Sequence, residues 1–227
     1  MVDGLYLRGQ MKRTKPFITG AILFLAIFHL IGLVGLHLDS TRELFQSLVP
    51  MNLLLSLAVL LLFHRSWNLR FGIFLFGVFW LGYLVEVVGV STGVIFGSYE
   101  YGSALGFKVA GTPPMIGVNW VILIYCCGTI VKRLTPVLWW GALIGAALMV
   151  GIDLVIEPMA IRFDFWTWRG GEIPLLNFFG WFVVSYLMLL GWYYLDEEPD
   201  NPIAAPLYVI QFLFFAAFLL IDLGSRS

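Results

Sequence analysis

Three carboxylates, Glu86, Asp153 and Glu157, stand in stretches otherwise apolar enough to be membrane helices. An acid at membrane depth costs about 2.5–3.5 kcal/mol on insertion scales, so a chemical role is the first hypothesis for each. Asp153 and Glu157 are four residues apart in Asp153-Leu-Val-Ile-Glu157-Pro158, hence one turn apart on one helical face. Pro158 is expected to end that helix, because the residue before a proline avoids helical geometry. Glu157 would then sit at the rim and Asp153 a turn deeper. Glu86 lies about a turn from the same end of its own helix, so all three can face one pocket. Acids in such a pocket can divide labour, one holding its proton while its neighbour stays a base. The competing reading is structural: Asp153 or Glu86 ties helices together through Asn119, Asn177 or a tyrosine.

Aromatic residues crowd the same side: Tyr99, Tyr101, Phe163, Phe165, Trp166, Trp168, Phe178, Phe179 and Trp181. Their faces can steady a cation by about 0.5–2 kcal/mol each when desolvated. The plainer alternative is an interfacial belt of Trp and Tyr.

These side chains must be held by membrane helices. Hydrophobic residues make up 60% of the 227, aromatics 17% and charged residues only 12%, with mean hydropathy +0.92. A soluble domain of this size cannot bury so much apolar surface, so lipid must cover its outer faces. Windows long enough to span fall at 17–38, 47–63, 71–90, 114–131, 136–156, 176–195 and 205–223. The predicted fold is all-α: a polytopic membrane bundle of about seven transmembrane helices, forming one integral-membrane unit over 1–227. The second window is short and contains Pro50 near its start, so six spans is the alternative. The apolar run after Arg8, Lys12, Arg13 and Lys15 is too long for a signal-peptide core and is expected to be a retained first helix.

Lys and Arg in the loops place eight residues on the side of the amino terminus and five opposite. A cytoplasmic amino terminus follows, in a multi-pass protein of the inner (cytoplasmic) membrane. The acidic 196–201 loop would also be cytoplasmic, since acidic residues weigh little in this rule.

Two long connections, roughly 91–113 and 157–175, interrupt the short loops. Both are rich in Gly, aromatic and charged residues and are expected to lie at the interface or fold back over the bundle. They also resemble each other: Gly111-Thr112-Pro113-Pro114 leads to Trp120, and Gly171-Glu172-Ile173-Pro174 leads to Trp181. The prolines are 60 apart and the tryptophans 61, the spacing of a parallel repeat.

Several classes drop out. Lys12, Lys15, Lys108 and Lys132 are the only lysines, and none lies in the last helix, which removes a retinal Schiff base. A magnesium-diphosphate enzyme would want paired Asp-rich motifs, and no Gly-rich dinucleotide fingerprint is present. No metal site is expected, because His29 and His37 are two turns apart. Cys126 and Cys127 are adjacent in one helix and suit packing. A net charge of −1 without a basic stripe argues against nucleic acid.

Four stretches together carry a family resemblance: Glu86-Val-Val-Gly-Val-Ser-Thr-Gly-Val-Ile-Phe-Gly-Ser-Tyr-Glu-Tyr, Gly-Thr-Pro-Pro-Met-Ile-Gly-Val-Asn-Trp, Asp153-Leu-Val-Ile-Glu157-Pro158, and Trp166-Thr-Trp168 followed by Ile-Pro-Leu-Leu-Asn177-Phe-Phe-Gly-Trp181. Over about residues 80–195 the chain resembles the integral-membrane carotenoid-biosynthesis hydratases, which include γ-carotene 1′-hydratases and bisanhydrobacterioruberin hydratases. The resemblance implies addition of water to the isolated double bond of an acyclic carotenoid end, such as that of γ-carotene or lycopene, without a cofactor. Such chemistry needs an acid, an aromatic cage and a base. The expected roles are Asp153 as the acid, Glu86 as its partner or the base, and Glu157 as the rim group. Tyr99, Glu100 and Tyr101 are expected to order water, and Asn119, Trp120, Trp166, Trp168, Asn177 and Trp181 complete the substrate-binding set. Association with other carotenoid-pathway enzymes would fit. The near-neutral charge is not that of a salt-adapted chain and favours C40 over C50 substrates. An end-group cyclase and a non-enzymatic carotenoid carrier are the competing classes.

Overall fold

A computed structural model describes residues 14–195 and 201–226. The helices are α1 (Lys15–His37), α2 (Arg42–Ser47), α3 (Val49–Leu62), α4 (Leu69–Thr92), α5 (Met115–Leu134), α6 (Leu138–Arg162), α7 (Leu175–Leu195) and α8 (Ala204–Arg226). Two short strands, β1 (Tyr99–Tyr101) and β2 (Trp166–Trp168), lie in the long connections. Arg8, Lys12, Arg13 and the acidic residues 196–200, on which part of the orientation argument rests, fall outside the described residues.

The expected polytopic helix bundle holds. Among the described residues, six helices are long and apolar enough to cross a membrane: α1, α4, α5, α6, α7 and α8. The second apolar window becomes α3, whose 14 residues rise about 21 Å, short of a hydrocarbon core of about 30 Å. It nevertheless returns the chain to the side where α1 begins, since Phe63 after α3 stacks on Phe17 at 5.2 Å between ring centroids. The six-span alternative is therefore right by helix length, and seven passes describe the path of the chain.

Local signals set several helix ends. The Asn68 side chain accepts from Phe71 N–H at 2.9 Å and caps α4. Gly93, at φ 69°, closes the other end in the left-handed conformation that favours glycine. Pro158 does not end α6, against expectation: the helix continues to Arg162. A missing N–H is tolerated in a membrane helix when surrounding groups hold the chain. Here Met159 and Ala160 are buried, and their carbonyls accept from Phe163 and Phe165 N–H at 2.9 and 2.8 Å. Glu157 is thus an interior residue, 1% exposed, and the rim role expected of it is withdrawn.

α5 is the centre of the bundle and packs against α3, α4, α6, α7 and α8. Small residues admit large neighbours at the contacts: Gly82 of α4 receives the Trp120 ring, and Gly128 of α5 receives Trp192. A reporter fused after Arg133 should face the side opposite to one inserted near Gly170, because α6 separates them. Protease protection or reporter activity on the same side for both would break the bundle's topology.

The two long connections pair instead of spreading along the interface. β1 and β2 run antiparallel with Tyr99 opposite Trp168, Glu100 opposite Thr167 and Tyr101 opposite Trp166. Beside them, the Asp164 carboxylate accepts from the Ser103 N–H and hydroxyl, each at 2.7 Å. These bonds, the backbone one foremost, hold the Asp164 carboxyl below the usual range. The Gly102 N–H reaches Phe165 O at 2.9 Å, and the Gln46 side chain donates to Phe163 O at 2.9 Å.

Candidate active site beneath the paired strands

Strand side chains alternate between faces, so Tyr99, Tyr101, Trp166 and Trp168 all point into the bundle while Glu100 and Thr167 point out. Each inward pair meets one glutamate. Glu86 of α4 accepts from the hydroxyls of Tyr99 and Tyr101, the latter at 2.8 Å, and from Trp120 Nε1 at 3.0 Å. Glu157 of α6 accepts from Trp166 Nε1 at 3.1 Å and Trp168 Nε1 at 2.8 Å on one oxygen, and from Asn177 Nδ2 at 2.8 Å on the other. Burial and the adjacent Glu86 push both tyrosine hydroxyls far above the ordinary phenol range, so they serve as donors.

Asp153 is held differently. Its Oδ2 accepts from the same Asn177 Nδ2 at 2.8 Å, whereas its Oδ1 is buried with no hydrogen-bond partner among the described residues. One amide thus bridges Asp153 and Glu157, and the carboxyl pair has a single bare oxygen. Two adjacent carboxyls with one open position suit the sharing of a proton.

The two long-connection units contribute to the site in similar ways. α4, β1 and α5 supply a glutamate, two inward aromatics and a further donor; α6, β2 and α7 supply the same set. Trp120 and Trp181, the tryptophans of the two units, stack on each other at 4.4 Å and 19°. The symmetry breaks one turn before each glutamate, where the first unit has Gly82 and the second Asp153.

Two cavities adjoin this arrangement. A small one of about 10 Å³ lies between Glu86 and Glu157, walled by Tyr99, Tyr101, Asn177 and Trp181; that is about the size needed for one water. A larger one of about 280 Å³ is almost wholly apolar and is lined by residues of α1, α2, α3, α5, α6 and α8. Ile116 and Trp166 line both and form the partition between them. The larger cavity reaches the lipid-facing surface between α1 and α3, where Ile31 and Met51 are about half exposed.

The sequence candidates therefore divide. Glu86, Glu157, Tyr99, Tyr101, Trp166, Trp168, Asn177 and Trp181 wall the small cavity, and Trp120 supports it through its bond to Glu86. Asp153 lines neither cavity and is joined to Glu157 through Asn177 Nδ2. Asn119 lines the large cavity. Glu100 is corrected: the two-residue period turns it to the outer face, away from the water-sized space. Phe179 is 65% exposed and faces outward, as an interfacial belt residue would. The large cavity itself was not foreseen. Its isolated polar residues, Asn52 of α3 and Gln211 of α8, carried the same signal as the carboxylates, a polar side chain in an apolar helix.

Residues 48–224 match a family described as carotenoid biosynthesis protein, a wider span than the motif-bearing 80–195. No curated protein and no solved structure gave a match.

Proposed function

The chain belongs to the carotenoid biosynthesis protein family, and from that premise we propose that it hydrates the isolated C1′=C2′ double bond of an acyclic carotenoid end group. The observation that carries this reading is the water-sized space between two saturated glutamates, parted only by Ile116 and Trp166 from an apolar cavity open towards lipid. At about 280 Å³ that cavity is just below the roughly 300–1,000 Å³ of sites that enclose drug-sized ligands. It suits one end group, with the remaining polyene left in the bilayer.

In the proposed reaction the Asp153–Glu157 pair supplies one proton to C2′, through the Glu157 side that fronts the small cavity. The C2′–H bond forms from the alkene π electrons and leaves a tertiary cation at C1′. Trp166, at the partition, offers its ring face to that cation. Water then bonds to C1′, and its surplus proton passes to Glu86, the base across the small cavity. Returning this proton to the pair restores the starting state. Alkene and water give a tertiary alcohol, with no net redox change and no need for a cofactor. Asp153, which touches neither cavity, is the group that holds the proton in reserve. The inner membrane is the proposed location.

Expression in a bacterium accumulating lycopene or γ-carotene should yield a product heavier by one water with an unchanged visible spectrum, because the conjugated polyene is untouched. Unchanged mass with a shifted spectrum would select the cyclase instead. Bound carotenoid without product would select the carrier.

A further inference from the structure

The larger cavity holds a feature that a hydrocarbon ligand does not explain. Three carboxamides from three helices line it: Asn52 of α3, Asn119 of α5 and Gln211 of α8, with His29 of α1 beside them. None of the three amide side chains has a hydrogen-bond partner among the described residues. Gln211 is 5% exposed, and its Oε1 is buried and unpaired. His29 Nδ1 lies 2.8 Å from Leu25 O; a carbonyl only accepts, so Nδ1 donates and the neutral ring offers a lone pair at Nε2. His29 meets Phe214 edge-on at 5.7 Å, Gln211 stands one turn from Phe214 on α8, and all three line the same cavity.

Leaving a buried polar group unpaired is costly, and in a membrane interior water does not relieve it. Gln211 Oε1 is such a group, and its convergence with the half-buried amides of Asn52 and Asn119 on one apolar chamber marks a site for a ligand that completes their bonds. The lone pairs of Gln211 Oε1 and His29 Nε2 call for a donor, and the amide N–H groups call for an acceptor. A hydroxyl satisfies both.

We infer that Asn52, Asn119, Gln211 and His29 form a subsite for an O–H group inside the apolar cavity, filled by a hydroxyl on the carotenoid end or by a water. This rests on the hydratase reading for the identity of the carotenoid, but the subsite is defined by its own polar groups. It gives the cavity a preference for the alcohol over the hydrocarbon, or a store of water within an otherwise dry chamber.

The test compares full-length protein in lipid nanodiscs with its Asn119→Leu/Gln211→Leu variant, titrated with an acyclic C40 carotenoid hydrocarbon and with its mono tertiary alcohol. Quenching of tryptophan fluorescence by the polyene reads binding. If the hydroxyl comes from the carotenoid, the variant should bind the alcohol about tenfold more weakly and the hydrocarbon as well as before. If the O–H is a water, both carotenoids bind alike in both proteins and hydration of the hydrocarbon slows about tenfold or more in the variant. Equal binding with unchanged hydration overturns the subsite. The ligand-free variant should melt at or above the wild-type temperature, since an unpaired buried amide has been removed; if it fails to fold, Asn52→Leu tests the same cluster from α3. Should wild-type protein hydrate no carotenoid at all, the reaction proposed above fails; weaker binding of the alcohol by the variant then still upholds the subsite, and equal binding overturns it.

Discussion

Asp153→Asn is expected to lower carotenoid hydration by about 10²–10⁴-fold, the usual worth of a positioned general acid, with normal accumulation in the membrane. The substitution keeps the size of the side chain and an oxygen that can accept from Asn177 Nδ2, as Asp153 Oδ2 does at 2.8 Å. What it removes is the carboxyl group that the proposed mechanism uses to hold the proton with Glu157. If Asp153 served only to tie α6 to α7 through Asn177, the amide would be tolerated, and Asp153→Leu would be the damaging change because it leaves Asn177 Nδ2 with Glu157 as its one acceptor. The two variants together separate the cases. Near-normal hydration by the Asn variant would remove Asp153 from the proton path and leave Glu86 as the group to test next. A solvent deuterium isotope effect on the wild-type rate offers an independent readout, since a strut does not move a proton.

The helices were legible because lipid imposes a long apolar run on every span, and the six long ones stood within a few residues of their windows. α3 was ambiguous for a physical reason: 14 residues are too few to cross alone, and only the tertiary stack of Phe63 on Phe17 shows where it ends. Pro158 misled because the steric bias against helical geometry before a proline is a preference that tertiary packing can override, and the buried Met159 and Ala160, whose carbonyls accept from Phe163 and Phe165 N–H, keep the chain helical. The carboxylates were visible as costs that nothing in their own helices repaid. Their donors could be named but not assigned, because β1 and β2 are three residues each and their register arises from pairing across the whole stretch 102–165. Register also settles Glu100 against Tyr99 and Tyr101, which adjacency alone could not. The apolar cavity was invisible for the opposite reason: its walls are mostly ordinary core residues drawn from six helices, with His29, Asn52, Asn119 and Gln211 breaking their pattern.

The second large effect concerns Glu157, where stability and chemistry can be pulled apart. Its three partners, Trp166 Nε1, Trp168 Nε1 and Asn177 Nδ2, are all N–H donors that cannot reverse role. In Glu157→Leu both indoles lose their acceptor in a buried site, at a cost of about 1–3 kcal/mol each. A loss of that size should appear as lowered accumulation and an early melting transition. Glu157→Gln keeps one carbonyl oxygen for the two indoles but turns the oxygen that accepts from Asn177 Nδ2 into an NH2 donor, so it should fold with the loss of that one bond, a smaller loss than in Glu157→Leu, yet it cannot pass a proton and should lose about 10²-fold or more of the hydration rate. Glu100→Ala, one position from the site by sequence but on the outer face of β1, should change stability by no more than about 0.5 kcal/mol and leave hydration intact. A folded and active Glu157→Gln would remove Glu157 from proton transfer and leave it an anchor for the two strands. An inactive Glu100→Ala would mean that the strands carry the opposite register, which would undo the assignment of every aromatic residue around both glutamates.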